Sequence, residues 1–111
     1  MKIAIVKLSS LGDIVHSMAA LQFIKKHRPE SEIDWVVEDS FKELLKNNPD
    51  INNVHTVSLK KLKSLRLFII EMRKIRNFGS YDVVIDAQGL IKSSIVSRFV
   101  KSKKRVGFDR R

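Results

Sequence analysis

Five short apolar runs, rich in β-branched residues and separated by stretches with helical spacing, constrain this chain more than any other feature. Lys2 to Leu8 is the first run; it stops at Ser9, Ser10 and Gly12, which predicts a buried strand followed by a tight loop. From Asp13 the pattern changes, with Ile14, Met18, Leu21 and Ile24 sharing one helix face until Lys25-Lys26-His27-Arg28 and Pro29 end it. Ile33 to Val37 is a second strand, and Ser40 is placed to cap a short helix carrying Phe41, Leu44 and Leu45 that ends before Pro49. Val54 to Leu59 reads as a third, weaker strand. Residues 61–77 form the longest helical segment, with Leu62, Leu65, Ile69 and Met72 on one stripe and Gly79 in the place of a C-cap. Tyr81 to Asp86, a loop through Gly89, a helix over 90–101 and a strand from Lys104 to Phe108 complete the pattern.

The order is β-α-β-α-β-α-β-α-β, and the strands are continuous apolar runs, as parallel strands buried on both faces should be. Right-handed crossovers then give an α/β fold with an open, doubly wound parallel sheet. A chain of 111 residues has room for one such domain. Ligands of open α/β sheets bind beyond the carboxyl ends of the strands, which directs attention to residues 9–13, 38–40 and 86–92.

Composition removes several classes of chemistry. With no cysteine, disulfide scaffolds, thiolate zinc sites and cysteine nucleophiles are excluded. His16, His27 and His55 are too far apart in sequence for a local metal motif. Lys7 interrupts the first apolar run before it reaches the length of a secretory core, and Leu67 to Ile70 falls far short of a membrane span, so a cytoplasmic chain is expected. Charge is lopsided: residues 1–59 hold 7 basic and 8 acidic side chains, residues 60–111 hold 15 and 4. The second half therefore faces something anionic or is missing an acidic partner.

The loop Ser9-Ser10-Leu11-Gly12-Asp13 has two readings. Ser10 and Asp13 have the spacing of a capping box, which satisfies the free N–H groups that open a helix. Asp13 also stands where a general base would meet a substrate hydroxyl, and the helix N-terminus favours its charged form. The readings are compatible. The loop is not a dinucleotide fingerprint, because Gly12 is its one glycine, so Glu38 and Asp39 read as solvated strand-end carboxylates rather than ribose ligands. Gly89 to Ser93 lacks the phosphate-loop spacing; Lys92 near a helix start could bind an anion or simply be exposed. Asp86 ends an apolar strand, in a structural role or to orient a substrate.

Lys60, Lys61, Lys63, Arg66, Arg73, Lys74 and Arg76 surround the apolar stripe of the third helix. A basic amphipathic helix of this kind is a solvated face, or meets an anionic membrane surface or a phosphorylated ligand. Nucleic acid is the competing polyanion, but Trp35 and Tyr81 lie in strands instead of being interleaved with the basic residues as stacking platforms.

Three separated stretches converge on a family. Val6-Lys7-Leu8-Ser9-Ser10-Leu11-Gly12-Asp13-Ile14-Val15-His16-Ser17, Asp34-Trp35-Val36-Val37-Glu38 and Tyr81-Asp82-Val83-Val84-Ile85-Asp86-Ala87-Gln88-Gly89-Leu90-Ile91-Lys92-Ser93 resemble, in order, the N-terminal half of the lipopolysaccharide heptosyltransferase I enzymes of glycosyltransferase family 9. Arg105-Val106-Gly107-Phe108-Asp109 also fits, and the Asp-Ala-Gln-Gly-Leu stretch looks more like these than like the sister enzymes that add the second heptose.

The resemblance implies an inverting, metal-independent GT-B enzyme with two Rossmann-like halves and no cofactor. Such enzymes move a heptose from ADP-L-glycero-β-D-manno-heptose to the Kdo sugar of Kdo2-lipid A, as cytoplasmic proteins held peripherally at the inner membrane. Asp13 matches the catalytic base, and Ser9, Ser10 and Gly12 match the loop shaping the cleft. Lys60, Lys61, Lys63 and Arg66 match, by position and charge, a region meeting the acceptor's phosphates and carboxylates. Residues 1–111 then form one partial, acceptor-side domain, the ADP-heptose contacts belong to a C-terminal domain outside this sequence, and the chain alone is not expected to complete transfer. The implied partners are Kdo2-lipid A, ADP-heptose through the other domain and the anionic membrane surface, with no nucleic acid. The competing expectation is a non-catalytic α/β module that binds a polyanion, a lipid head group or nucleic acid.

Overall fold

A computed structural model describes residues 1–8, 11–58, 60, 64–87 and 91–107 of the chain. Its elements are β1 (Lys2–Val6), α1 (Leu11–His27), β2 (Glu32–Glu38), a 3-10 turn (Asp39–Phe41) running into α2 (Lys42–Leu45), β3 (Asn53–Val57), α3 (Leu65–Arg76), β4 (Ser80–Asp86), α4 (Ile91–Phe99) and β5 (Lys101–Gly107). The strands form one sheet in the order β3-β2-β1-β4-β5, and every neighbouring pair is parallel. The expected doubly wound parallel sheet is thus the fold.

Side chains alternate across the strands, so β1 supplies two cores. Ile3 and Ile5 join Ile14 and Leu21 of α1, Leu45 of α2, and Ile33, Trp35 and Val37 of β2. Ala4 and Val6 join Met72 and Ile75 of α3 and Val96 of α4 on the opposite face. This two-sided burial is why the strands read as unbroken apolar runs. Trp35, wholly buried, donates its indole N–H to the Lys7 carbonyl at 3.1 Å, which ties the end of β1 to β2.

Helix α1 matches its spacing: Ile14 and Leu21 are fully buried, with Met18 and Ile24 packed beside them. Its last turn carries Lys25, Lys26 and His27, the charge that a helix C-terminus favours, and Lys25 Nζ donates to the Ser31 carbonyl at 2.6 Å.

Four local expectations are corrected. The turn into α2 is capped by Glu38, not Ser40: the Glu38 carboxylate accepts from the Ser40 amide at 3.3 Å and its hydroxyl at 2.6 Å. The buried face of α3 is Phe68, Glu71, Met72 and Ile75, whereas Leu65 and Ile69 point to solvent; Leu62 lies outside the described residues. The helix is rotated from the expected stripe because the Glu71 carboxylate is turned inward, where it accepts from the Ser58 amide at 2.6 Å. Gly79 is not the cap of α3; Asn77 is, with Asn77 and Phe78 amides bonded to the Lys74 and Ile75 carbonyls at 3.1 Å. Gly79 comes two residues later with φ 127°, turning the chain into β4. Finally, β5 begins at Lys101, because its pairing with β4 starts at Ser80↔Lys101, and α4 is correspondingly shorter than expected.

One polar cluster is buried beside the α3–α4 core. Asp34, 1% exposed, accepts from Tyr81 Oη at 2.6 Å, His55 Nε2 at 3.0 Å and Asn53 Nδ2 at 3.1 Å. A carboxylate only accepts, so the His55 Nε2 facing it carries hydrogen. The His55 ring stacks on Phe78 with centroids 4.4 Å apart. Burial pushes the Asp34 carboxyl up, but the donors His55, Tyr81 and Asn53 outweigh it and hold the group below the usual range.

Candidate functional site

The strand order reverses between β1 and β4, where β1 continues to β2 on one side and β4 to β5 on the other. The crevice beyond the carboxyl ends of these two strands is the switch point of the sheet. Its floor is fixed by backbone bonds: the Ala87 amide donates to the Val6 carbonyl at 3.0 Å, the Lys7 amide to Val36 at 3.2 Å and the Glu38 amide to Leu8 at 3.1 Å. These bonds hold the ends of β1, β2 and β4 in register just where the first loop leaves the sheet.

Asp13 sits in the first turn of α1 with its side chain exposed, directly downstream of that loop. Its own carbonyl accepts from Ser17 Oγ at 2.9 Å, and Ile14 beside it is fully buried, so the turn is pinned while the carboxylate faces outward. Gly12 precedes it, exposed; a Cβ added there would meet none of the described residues within 4 Å. Packing against the described residues therefore does not require glycine at this position.

Of the other expected site residues, Lys60 lies just past β3 and is exposed, and Arg66 is exposed in the first turn of α3. Because all five strands are parallel, Asp13 and Lys60 emerge at the same end of the sheet, two strands apart in its order. Ser9, Ser10, Lys61 and Lys63 lie outside the described residues. Glu38 is engaged with Ser40, which supports its structural reading over a ribose-binding one. Asp86 is 7% exposed at the end of β4, paired in register with Val6 on one side and Gly107 on the other. Lys92 falls in the first turn of α4.

Sequence reasoning passed over two residues near this edge. Lys7, read there only as an interruption of an apolar run, is buried at the end of β1. Glu71 is fully buried and reaches thirteen residues back to the start of the basic lead-in; its signal was a lone acid on a basic helix at i+3 from Phe68 and i−4 from Ile75. Lys74 Nζ lies 3.6 Å from the same carboxylate oxygen. Glu71 thus anchors the point from which the chain runs on to Lys60.

The sequence profile of glycosyltransferase family 9 (heptosyltransferase) matches residues 72–111. Lipopolysaccharide heptosyltransferase 1 of Campylobacter coli is 47% identical over 113 residues, an alignment covering 99% of this chain and 31% of that protein. The Pseudomonas aeruginosa protein of the same name is 34% identical, covering 99% of this chain and 33% of its own length. Among solved structures, Escherichia coli heptosyltransferase WaaC with ADP superposes with a TM-score of 0.82 at 32% identity, over 98% of this chain and 36% of that one. The chain thus spans about a third of the length of the relatives it matches. With a doubly wound sheet superposing over nearly all of its residues and a sequence match of the same extent, the chain is similar to about a third of a heptosyltransferase of glycosyltransferase family 9.

Proposed function

We propose that residues 1–111 form a partial, Rossmann-like acceptor-side domain of a lipopolysaccharide heptosyltransferase, with the contacts to the nucleotide sugar supplied by a second domain outside this sequence. The reaction is transfer of L-glycero-D-manno-heptose from ADP-heptose to the Kdo sugar of Kdo2-lipid A, at the cytoplasmic face of the inner membrane, with anionic lipid nearby. The observation that carries this reading is the exposed Asp13 in the first turn of α1, beside the switch point of a sheet that superposes on a heptosyltransferase.

In this mechanism the Asp13 carboxylate takes the proton of a Kdo hydroxyl as that oxygen bonds to the anomeric carbon. The bond from the anomeric carbon to the diphosphate breaks, ADP leaves with the electron pair, and the configuration inverts. Among the described residues none comes within 4 Å of a Cβ at Gly12, which supports room for the acceptor sugar beside the carboxylate. Lys60 and Arg66, with Lys61 and Lys63 of the same segment, meet the acceptor's phosphates and carboxylates by charge-assisted hydrogen bonds. The charge of the donor's diphosphate must be neutralised for ADP to leave, a role this reading gives to the second domain. The 111-residue chain therefore holds acceptor without completing transfer.

Binding of the purified chain to Kdo2-lipid A micelles tests this. Salt-dependent binding, with no comparable affinity for oligonucleotides and no heptose transfer when ADP-heptose is added, is the expected result. Preference for oligonucleotides would replace this reading with a nucleic-acid-binding one.

A further inference from the structure

Lys7, at the carboxyl end of β1, is 8% exposed, and its ammonium makes no hydrogen bond or ion pair with any described residue. Its backbone is engaged on both sides: the amide donates to the Val36 carbonyl at 3.2 Å, and the carbonyl accepts from the Trp35 indole at 3.1 Å. An ammonium withdrawn from water without a partner is costly, and lysine is seldom buried unless it is paired. The buried acids Asp34 and Glu71 obey that rule, the first with three donors and the second with the Ser58 amide. Lys7 departs from it.

Alternation along β1 places the side chain. Ala4, Val6 and Leu8 belong to the core beneath α3 and α4, whereas Ile3 and Ile5 belong to the core beneath α1. Lys7 therefore lies on the α1 side, one step beyond the Val6↔Asp86 pair that ends the contact of β1 with β4. A lysine so placed keeps its stem against the apolar layer and its ammonium toward water. The water-facing end of this layer is the switch-point crevice. Helix α1, 17 residues long, begins four residues further on, so the partial positive charge of its N-terminus reinforces the ammonium. This combination suits an oxyanion, a carboxylate or a phosphate.

We propose that Lys7 binds the carboxylate of the sugar that accepts the heptose. The assignment rests on the acceptor-side reading given above and names a further residue of that site. Kdo is a sugar acid, so its carboxylate and its hydroxyls belong to one small molecule, and a ring that offers a hydroxyl to Asp13 carries its carboxylate into the same crevice. Lys7 and Asp13 stand at the two ends of the first loop. Holding the carboxylate at one end fixes which hydroxyl meets the base at the other. A neutral sugar would leave the ammonium buried and unpaired, so Lys7 also selects a sugar acid. The second Kdo and the lipid A phosphates remain for Lys60 and Arg66.

The test compares binding of Kdo2-lipid A and of its carboxyl methyl ester, in micelles, to the parent chain and to Lys7→Met. Methionine keeps an unbranched stem without the charge, so a lysine that has no partner inside the fold should yield a variant at least as stable as the parent by urea unfolding. Lys7→Met is expected to weaken binding of the free acid about tenfold, and esterification is expected to cost the parent about tenfold more than it costs Lys7→Met. The same cost of esterification in both chains would overturn the proposal. So would a Lys7→Met chain that is less stable than the parent or unfolded, since Lys7 would then serve the fold. Binding of ADP by the parent that Lys7→Met abolishes would give the site to a donor phosphate instead. Failure of the parent to bind the free acid would overturn the acceptor-side reading itself, whereas a parent that binds and a Lys7→Met that binds equally would overturn the assignment of Lys7 alone.

Discussion

The Tyr81 phenol of β4 reaches past β1 to donate to the Asp34 carboxylate of β2 at 2.6 Å, linking two strands that do not touch in the ladder. Removing the donor leaves a buried acceptor one bond short, so Tyr81→Phe should cost about 1.5–3 kcal/mol, as for hydrogen bonds to charged groups. Urea unfolding of the parent and variant reads this as a lower midpoint at unchanged slope. A change below about 0.5 kcal/mol would show that Asn53 and His55 satisfy Asp34 without it.

The same cluster sets a pH dependence at both ends. Asp34 is held below the usual carboxylate range by its donors, so its contribution is complete above the unfolded value of about 3.9 and is lost as pH falls through the lower folded value. Tyr81 moves the other way: burial first, then the bond to Asp34 and its charge, push the phenol up. Its contribution is intact below an unfolded value of about 10 and declines as pH rises beyond it. Unfolding free energy measured against pH should fall at both extremes, and Tyr81→Phe should flatten the alkaline limb.

Glu71 and Ser58 make the second long-range tie. Glu71→Ala removes the acceptor from the Ser58 amide and should cost about 1.5–3 kcal/mol, whereas Glu71→Gln, whose carbonyl oxygen can accept the same bond, should recover most of it. Thermal unfolding of the two variants side by side checks this; equal losses would mean that charge, not the hydrogen bond, is what matters at this position.

Two glycines should respond oppositely to alanine. Gly79 has φ 127°, and a Cβ there would lie 3.2 Å from Lys2 Nζ, so Gly79→Ala should destabilise by about 1–3 kcal/mol through backbone strain. Gly12 is in the first turn of α1 with none of the described residues within 4 Å of a Cβ built on it, so Gly12→Ala should stabilise the chain, by up to about 0.5 kcal/mol. The same denaturation experiment decides both.

The fold was legible because burial on both faces leaves β1, β2 and β4 as apolar runs and because α1 keeps strict helical spacing from Ile14 to Ile24. The position of Asp13 in the first turn of α1 was legible as well, since the first apolar run stops just before it and helical spacing begins there. The face of α3 was not. Leu65, Phe68, Ile69, Met72 and Ile75 all lie on one broad apolar side of the helix, so spacing did not distinguish the stripe through Leu65 and Ile69 from the one through Phe68 and Ile75. What decides between them is the inward turn of Glu71 to a backbone amide thirteen residues away, a tertiary bond that no local pattern encodes. Glu38 displaced Ser40 as a cap for a related reason, because a strand-end carboxylate reached the free amide and hydroxyl first. The Asp34 cluster left one sign in the sequence, a single acid inside the run Ile33 to Val37, but its partners come from β3 and β4.

Asp13 as the acceptor-side base is the central claim, and a hybrid enzyme tests it most directly. In this hybrid residues 1–111 replace the matching stretch of the Campylobacter coli heptosyltransferase, to which they are 47% identical. Heptose transfer to Kdo2-lipid A is then compared between the hybrid and its Asp13→Ala variant, with acceptor binding measured alongside. Loss of at least about 100-fold in kcat with acceptor affinity unchanged is the predicted result. Transfer at the parent rate in an active hybrid carrying Asp13→Ala would contradict the account.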